Sequence, residues 1–404
     1  MLLSSCYKEL VMEDPLPGDK QDVFEMTVSP ETQDLLYTSR DTSYSILEPG
    51  LTLKLNGHLL SIRKLGIRGE SALDFRRKSY SVSLEQPIVL RTPDESKIRV
   101  MRKFKLISMA MDYTYINNRV AFGILEKAGI MPLFYKYVEL ILNDQTQGIY
   151  FLVEDPEEYA EGVGSECLLR RGYHHSLAKI DYNPSMWYLP QETYRERFKD
   201  IYAHLTSVNG EALYESLSER LVVNEYFRKM GMDFLMQNGD YTDEIFFYST
   251  VKEKQIRFRI LPWDYDDIFK NNPHEIGRSW GTGTLFGTRT YASRDDIYAE
   301  IGERMVFSIE DDLDYAVARD SLVYARYERV LMELIREFEV EDIEALFAQV
   351  EQELTPFYDK TELIEQSQFD RYPCTRGQWE ENMREKQSFL TERLVWMKSE
   401  LNLP

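Results

Sequence analysis

Two acidic clusters flank a pair of short apolar runs in the second half of this 404-residue chain. The first reads Gln237-Asn-Gly-Asp240-Tyr-Thr-Asp243-Glu244 and the second Pro262-Trp263-Asp264-Tyr-Asp266-Asp267. Between them, Ile245-Phe-Phe-Tyr248 and Ile256-Arg-Phe-Arg-Ile260 read as the two strands of a hairpin, which would bring the clusters together. Carboxylates packed this densely repel one another and become tolerable beside a divalent cation, and hard cations such as Mg²⁺ or Ca²⁺ take oxygen ligands. Asp264 and Asp266 point to the same side if 264–266 is extended, which suits them to share a metal. Solvated acidic loops are the plainer alternative. Trp263 and the apolar Ile260-Leu-Pro run argue against it, since they place the second cluster beside a core.

A basic segment lies upstream: Gly66-Ile-Arg68-Gly69-Glu-Ser71, then Asp74-Phe-Arg76-Arg77-Lys78-Ser79-Tyr80. Arg68-Gly69 at a strand end offers a guanidinium fork and a bare backbone to phosphate oxygens. Lys78 opens an alternating strand, and a strand-borne lysine reaching nucleotide phosphates is a recurring kinase device. By itself the segment also reads as a surface strand. Glu154 closes the apolar run Gly148-Ile-Tyr-Phe-Leu-Val153, either as a strand cap or at the crossing between two lobes.

The elements that must position these groups fall into two sets. From about 22 to 110 the pattern is strand-like, with Leu51-Thr-Leu-Lys-Leu55 followed by the hairpin signal Asn56-Gly57, then Ser79–Leu84 and 103–108. Ile116, Val120, Ile124 and Ala128 predict a helix over 114–128, closed by Gly129. Strands at 137–142 and 148–153 follow, joined by a turn that begins at Asn143-Asp144. Helices are expected at 192–207, 210–218, 221–236, 296–306, 312–338, 340–353 and 376–400, with a Gly-, Ser- and Thr-rich loop over 271–294. The expected class is α+β: a tether over 1–21, a β-rich lobe with one inserted helix over 22–155, and a helical lobe over 156–404 that holds the acidic hairpin 238–267. Clefts between lobes are common ligand sites.

Composition narrows the function. The chain has 48 basic and 69 acidic residues, a net charge of −21, which disfavours nucleic acid as a partner. Residues 61–105 are the exception, with twelve Lys or Arg against five Asp or Glu. A basic island in an acidic chain is where an anionic ligand would sit, unless it is simply a solvated sheet face. Cys6, Cys167 and Cys374 suit neither a zinc site nor a disulfide framework, and the five histidines form no H-x-x-x-H pair. Met1-Leu-Leu-Ser-Ser-Cys6 looks like the tail of a bacterial lipoprotein signal, with Cys6 as the lipid-bearing residue. That would place the protein at the cell envelope or surface; an ordinary N-terminus would leave it cytoplasmic.

Taken in order, these segments resemble the CotH (spore coat protein H) kinase family. Its members carry R-G-N-S-S…P-K-K-S-Y, then D-x-S-x-x-R-N, V-E-L-Y-x-N-G-x-Y-x-G-x-Y-x-L-x-E, N-x-D-x-H-x-x-N and P-W-D-x-D. This chain has Arg68-Gly-Glu-Ser-Ala72 with Arg77-Lys78-Ser79-Tyr80, Asp112-Tyr-Thr-Tyr-Ile-Asn117-Asn118, Val138-Glu-Leu-Ile-Leu-Asn143 with Gly148-Ile-Tyr150 and Glu154, Asn238-Gly-Asp240, and Pro262-Trp263-Asp264-Tyr-Asp266. The resemblance covers about 25–270, and the helical tail after about 296 carries little of it.

It implies a bilobal, atypical protein-kinase-like fold that transfers phosphate from ATP, with Mg²⁺ (Mn²⁺ or Ca²⁺ in its place), to a Ser or Thr hydroxyl of a protein. Asp240 would be the catalytic carboxylate. Asp264 would hold the metal, with Asp266 as a further or supporting ligand. Lys78 and Arg68 would contact phosphates and Trp263 the base, while Glu154 would lie near the adenine or orient Lys78. Glu244 stands where the family has an asparagine, with one residue deleted before it; Glu244 would still be able to bind the metal, but it adds charge and changes the geometry. The family histidine has no counterpart, Asn117 replaces an arginine, and Glu70 replaces an asparagine beside Arg68-Gly69. These departures leave a second reading open, a pseudokinase or surface adhesin that keeps the fold for binding. A metal-dependent hydrolase or carbohydrate-surface protein using the same acids is the third.

Overall fold

The computed structural model describes residues 21–41, 45–46, 48–69, 71–93, 96–171, 177–182, 191–240, 244–252, 255–273, 294–360 and 374–403. Cys6 and the rest of the tether up to residue 20, Glu70, Asp243 and most of the 271–294 loop lie outside them. The described residues form a mixed α/β structure in two compact units. One takes in the described residues as far as Ala110 together with Phe134–Glu154; the other takes in Met111–Leu133, the described part of Asp155–Asp359, and 374–403.

The first unit is built on an eight-stranded sheet of β1 (Asp22–Thr27), β2 (Thr52–Leu55), β3 (His58–Leu60), β4 (Ile62–Arg68), β5 (Ser79–Arg91), β6 (Ile98–Ile107), β7 (Tyr135–Leu142) and β8 (Gln145–Glu154). Its order is β3-β2-β1-β7-β8-β6-β5-β4, and β1 with β7 is its parallel pair. The Asn56-Gly57 signal works as expected, with φ of 50° and 81° at the two turn positions, the left-handed pair that a tight hairpin needs. Pro87 sits in β5 where the register with β6 shifts, since a residue without an N–H cannot serve a regular ladder. Phe24, Leu53, Leu65, Phe104, Val138 and Leu152 share one buried core. Lys136 and Asp22, both buried, pair at 2.5 Å across β7 and β1, and Asn56 donates to the same aspartate. Helix α1 (Pro30–Thr38) was not expected within the strand-like stretch. It buries only Thr32 and Leu36, too little to leave a helical period, although Ser29 caps it and Pro30 opens it.

The second unit is mainly helical: α2 (Asn117–Lys127), α3 (Pro156–Gly162), α4 (Gln191–Ala203), α5 (Gly210–Ser218), α6 (Val223–Met236), α7 (Arg294–Ile301), α8 (Asp312–Arg319), α9 (Ser321–Arg336), α10 (Val340–Tyr358) and α11 (Arg376–Glu400). Helix α2, expected as an insert of the β-rich lobe, packs with α6 and α10 instead. Its Arg119 forms a two-pronged pair with Glu353 of α10 at 2.8 and 2.7 Å, nearly out of solvent. The helix expected over 312–338 is two helices. Asp320 breaks it with extended backbone and caps α9 by accepting from the Leu322 and Val323 amides at 3.0 Å.

The acidic hairpin is β11 (Ile245–Lys252) with β12 (Gln255–Pro262), and it belongs to a four-stranded sheet with β9 (Cys167–Arg171) and β10 (Leu177–Tyr182), ordered β10-β9-β11-β12. The last two strands were missed. Cys167-Leu-Leu-Arg-Arg171 is buried on both faces and so shows no alternation.

Candidate active site

The hairpin does bring the two acidic clusters together. β11 pairs with β12 so that Ile245 lies opposite Pro262, which sets 244 beside 263; the Trp263 amide donates to the Glu244 carbonyl at 3.1 Å. Helix α6 ends at Gln237 in the left-handed region, φ 51°, and the chain turns through Asn238 and Gly239 to Asp240. This turn bonds directly to the loop after β12: the Gly239 amide donates to the Asp267 carbonyl at 2.8 Å, Phe269 to Met236 at 2.9 Å, and Lys270 to Gln237 at 3.0 Å. A side chain at Gly239 would meet Asp267 Oδ2 at 2.6 Å and the Asp267 carbonyl at 3.1 Å, so the contact needs a glycine.

The 264–267 loop is not extended, so the geometric reason for Asp264 and Asp266 to share a metal does not hold. Asp264 adopts φ 45°, a conformation that an aspartate holds at a cost of about 1–3 kcal/mol. Two neighbouring asparagines at the start of α2 hold the loop there. Asn118 accepts from the Tyr265 amide at 2.7 Å and donates to Asp264 Oδ1 at 3.4 Å. Asn117 donates to the Asp266 carbonyl at 2.6 Å. Beneath, Asp233 pairs with Lys229 at 2.5 Å, both buried, and accepts from the Tyr265 hydroxyl at 3.0 Å and from Asn238 at 3.2 Å. One buried carboxylate therefore ties the Asp240 turn to the Asp264 loop.

The electrostatics agree with the geometry. The Asp266 carboxyl is pushed well above the usual carboxylate range, first by removal from water, then by Asp264, Asp267, Asp112 and Asp240. A carboxyl so placed takes up a proton or a cation. Among the described residues no three His, Cys, Asp or Glu side chains close around one point. Mg²⁺ is commonly held by one or two carboxylates with water and phosphate oxygens completing its shell, and Asp264 and Asp266 are donors of that class.

Five expected site residues have other surroundings. Lys78 is buried, and its ammonium donates to the Phe75 carbonyl at 2.8 Å and to that of Leu73. Burial lowers its pKa, with Arg40 acting the same way and Asp74 opposing. Its observed role is to fasten the turn after Arg68-Gly69. Arg68 itself ends β4, partly exposed, in the first unit. Glu154 does not orient Lys78: it accepts from the Phe134 amide at 3.0 Å and pairs with Arg99 at 3.1 Å. Trp263 is 2% exposed and stands edge-on to Phe246, its ring centroid 5.8 Å away, so it is a core residue and not a platform for a base. Glu244 is met by a protein cation, Arg170 on β9, at 2.7 Å. Arg68, Lys78 and Glu154 belong to the first unit; Asp240, Glu244, Trp263, Asp264 and Asp266 belong to the second.

The family described as CotH kinase protein matches residues 65–397. The chain belongs to that family. The resemblance read from the sequence stopped near 270; the CotH match runs on into α11, as far as residue 397. Inner spore coat protein H of Bacillus subtilis (strain 168) is 21% identical over 242 residues, which cover 55% of this chain and 62% of that relative's length. No helix among the described residues is long and apolar enough to cross a membrane.

The C-terminal part of the CotH match contains what the sequence reading missed. Thr114 donates to Asn382 at 2.8 Å, Lys386 donates to Asn117 at 2.5 Å and to Thr114 at 3.2 Å, Phe389 meets Phe269 edge-on at 5.5 Å, and Arg393 donates to the Phe234 and Leu235 carbonyls at the end of α6. These four α11 residues recur at helical spacing and face the site from behind. Their signal was in the spacing 382, 386, 389, 393, but polar and aromatic types at that period do not read as a buried stripe.

Proposed function

We propose that this CotH protein is an atypical kinase that transfers phosphate from ATP to a Ser or Thr hydroxyl of a protein with the help of Mg²⁺. The observation that carries the reading is the convergence of Asp240, Asp264 and Asp266, with Asp266 pressed by its neighbours into a state that a cation would relieve. Asp240 accepts or orients the proton of the attacking hydroxyl. Asp264 binds the metal through its carboxylate, and Asp266 supports it. Bound Mg²⁺ supplies charge neutralisation for the ATP phosphates. The protein's own task is positioning, which the Asn117–Asn118 pair and the Asp233 tie perform. Within the β-rich unit, Arg68 ends β4 as a guanidinium suited to an anion, and Lys78 holds the turn behind it. The kinase-like two-lobe plan belongs to this proposal, as does a location at the cell surface, which the likeness to a spore coat protein supports.

Glu244 favours a second reading. Its charge is already met by Arg170, so fewer acids remain to hold a metal, and the protein would bind nucleotide with little turnover. Phosphate transfer from labelled ATP with Mg²⁺ or Mn²⁺, compared between the natural protein, Asp240→Ala and Asp264→Ala, decides between the two. Transfer that both substitutions abolish supports the kinase. Nucleotide binding with no transfer to any protein pool supports the binding protein, and no nucleotide binding with any divalent metal sinks both.

A further inference from the structure

We infer that Lys386, on the C-terminal helix, is a positioning residue for the acidic loop, acting through Asn117 on the Asp264–Asp266 segment; the inference rests on the proposed metal-assisted reading of that loop. Lys386 is nearly buried, yet its closest carboxylate, Asp112, stands 3.9 Å away. Its short contacts are neutral oxygens instead: Asn117 Oδ1 at 2.5 Å and Thr114 Oγ1 at 3.2 Å. The face of the Phe269 ring lies 5.3 Å from the ammonium. A cation held in this way is costly to bury, so its contacts must be well met.

The direction of those contacts gives the role. A carboxamide has one oxygen and one nitrogen end, and a donor on the oxygen fixes which way it faces. Lys386 occupies the Asn117 oxygen and so turns its NH₂ toward the Asp266 carbonyl, 2.6 Å away. The backbone of Asn117 is fixed separately, since its amide donates to Asp112 Oδ2 at 2.6 Å. Asn118, the next residue, holds the Tyr265 amide and Asp264. Asp264 sits in left-handed backbone, which relaxes unless neighbouring contacts hold it. Lys386 thus secures one of the two asparagine clamps on a strained loop from an element more than 250 residues away in the chain. It touches neither reacting group and has no part in the chemical step.

Two readouts test this, and only one depends on metal. Amide hydrogen exchange across 263–267 is measured in the natural protein, Lys386→Met, Asn117→Ala and the double variant. Mn²⁺ affinity in the presence of a non-hydrolysable ATP analogue is measured on the same proteins and on Asp264→Asn. Exchange across 263–267 is expected to rise about tenfold in Lys386→Met, with strand β12 unchanged, and the double variant is expected to match Asn117→Ala alone, because linked residues are not additive. Mn²⁺ affinity is expected to fall about tenfold in Lys386→Met, which a purely structural role in α11 would not produce. Unchanged exchange and affinity in Lys386→Met overturn the inference, as do effects of Lys386→Met and Asn117→Ala that multiply. If the natural protein and Asp264→Asn bind Mn²⁺ equally poorly, the metal reading fails by itself and the exchange data still decide the role of Lys386. Should Lys386→Met not fold, Lys386→Gln, which is slightly shorter, stays polar and loses the charge, carries both measurements with the same expected direction.

Discussion

Asn118 clamps the acidic loop by its backbone: the Tyr265 amide donates to the Asn118 side-chain oxygen at 2.7 Å. Both residues are fully buried, so the bond cannot be replaced by water. Asn118→Ala leaves that amide unsatisfied and releases Asp264. A loss of about 1–3 kcal/mol in unfolding free energy is expected, with metal-dependent nucleotide binding falling more steeply than stability. Denaturant titration beside a nucleotide-binding assay checks it; normal binding in Asn118→Ala contradicts the clamp.

Gly239 gives a second, steric test. Gly239→Ala drives a methyl group against the Asp267 carbonyl, which stands 3.1 Å from the new atom and is held by the Gly239 amide. The Asp240 turn must then move from the Asp264 loop. Transfer activity is expected to fall at least tenfold, with a folded protein by circular dichroism, since near-ångström misplacement of a reacting group is costly. Retained activity would show that the two segments need not touch.

Asp233 is the buried tie. Asp233→Ala removes the carboxylate paired with the Lys229 ammonium and frees both Asn238 and Tyr265. A loss of about 3–5 kcal/mol is expected, the usual cost of breaking a buried pair from one side. A double substitution to apolar residues of similar size, Lys229→Met with Asp233→Leu, should recover part of the melting temperature but not the activity.

Several strand and helix elements were legible in the sequence: Thr52–Leu55 buries every second residue, and α6 carries apolar residues through its length, whereas α1 and β9 leave no such period and were not. The hairpin and its two acidic ends were legible too, since apolar runs bounded by Asn-Gly and Pro-Trp leave little choice. What failed was side-chain surroundings. Trp263, Lys78 and Glu154 carry types that suit a nucleotide, but burial is a tertiary property, and their partners Phe246, Phe75 and Arg99 lie at no fixed spacing from them. Lys386 was invisible for the same reason: a lysine on a polar helix reads as surface.

Asp314 sets a pH dependence apart from the site. Burial and the neighbouring Asp311 raise its carboxyl to about 7, against the opposing pull of Arg171 and Lys229. A native carboxyl that keeps its proton longer than the unfolded one contributes stability below the unfolded pKa, near 3.8, and loses it as pH rises to about 7. Unfolding free energies at pH 5 and pH 8 should therefore differ less in Asp314→Asn than in the natural protein, by about 2–3 kcal/mol. An equal pH difference in both proteins removes Asp314 as the cause.

Helix α11 also bears on synthesis. A ribosome makes Asp240 and Asp264 well over a hundred residues before it makes Lys386 and Arg393. During that interval the nascent chain carries the acids without the strut that braces them. Vectorial folding, in which earlier segments settle first, thus delays a competent acidic loop until the helix at 376–400 has emerged and docked.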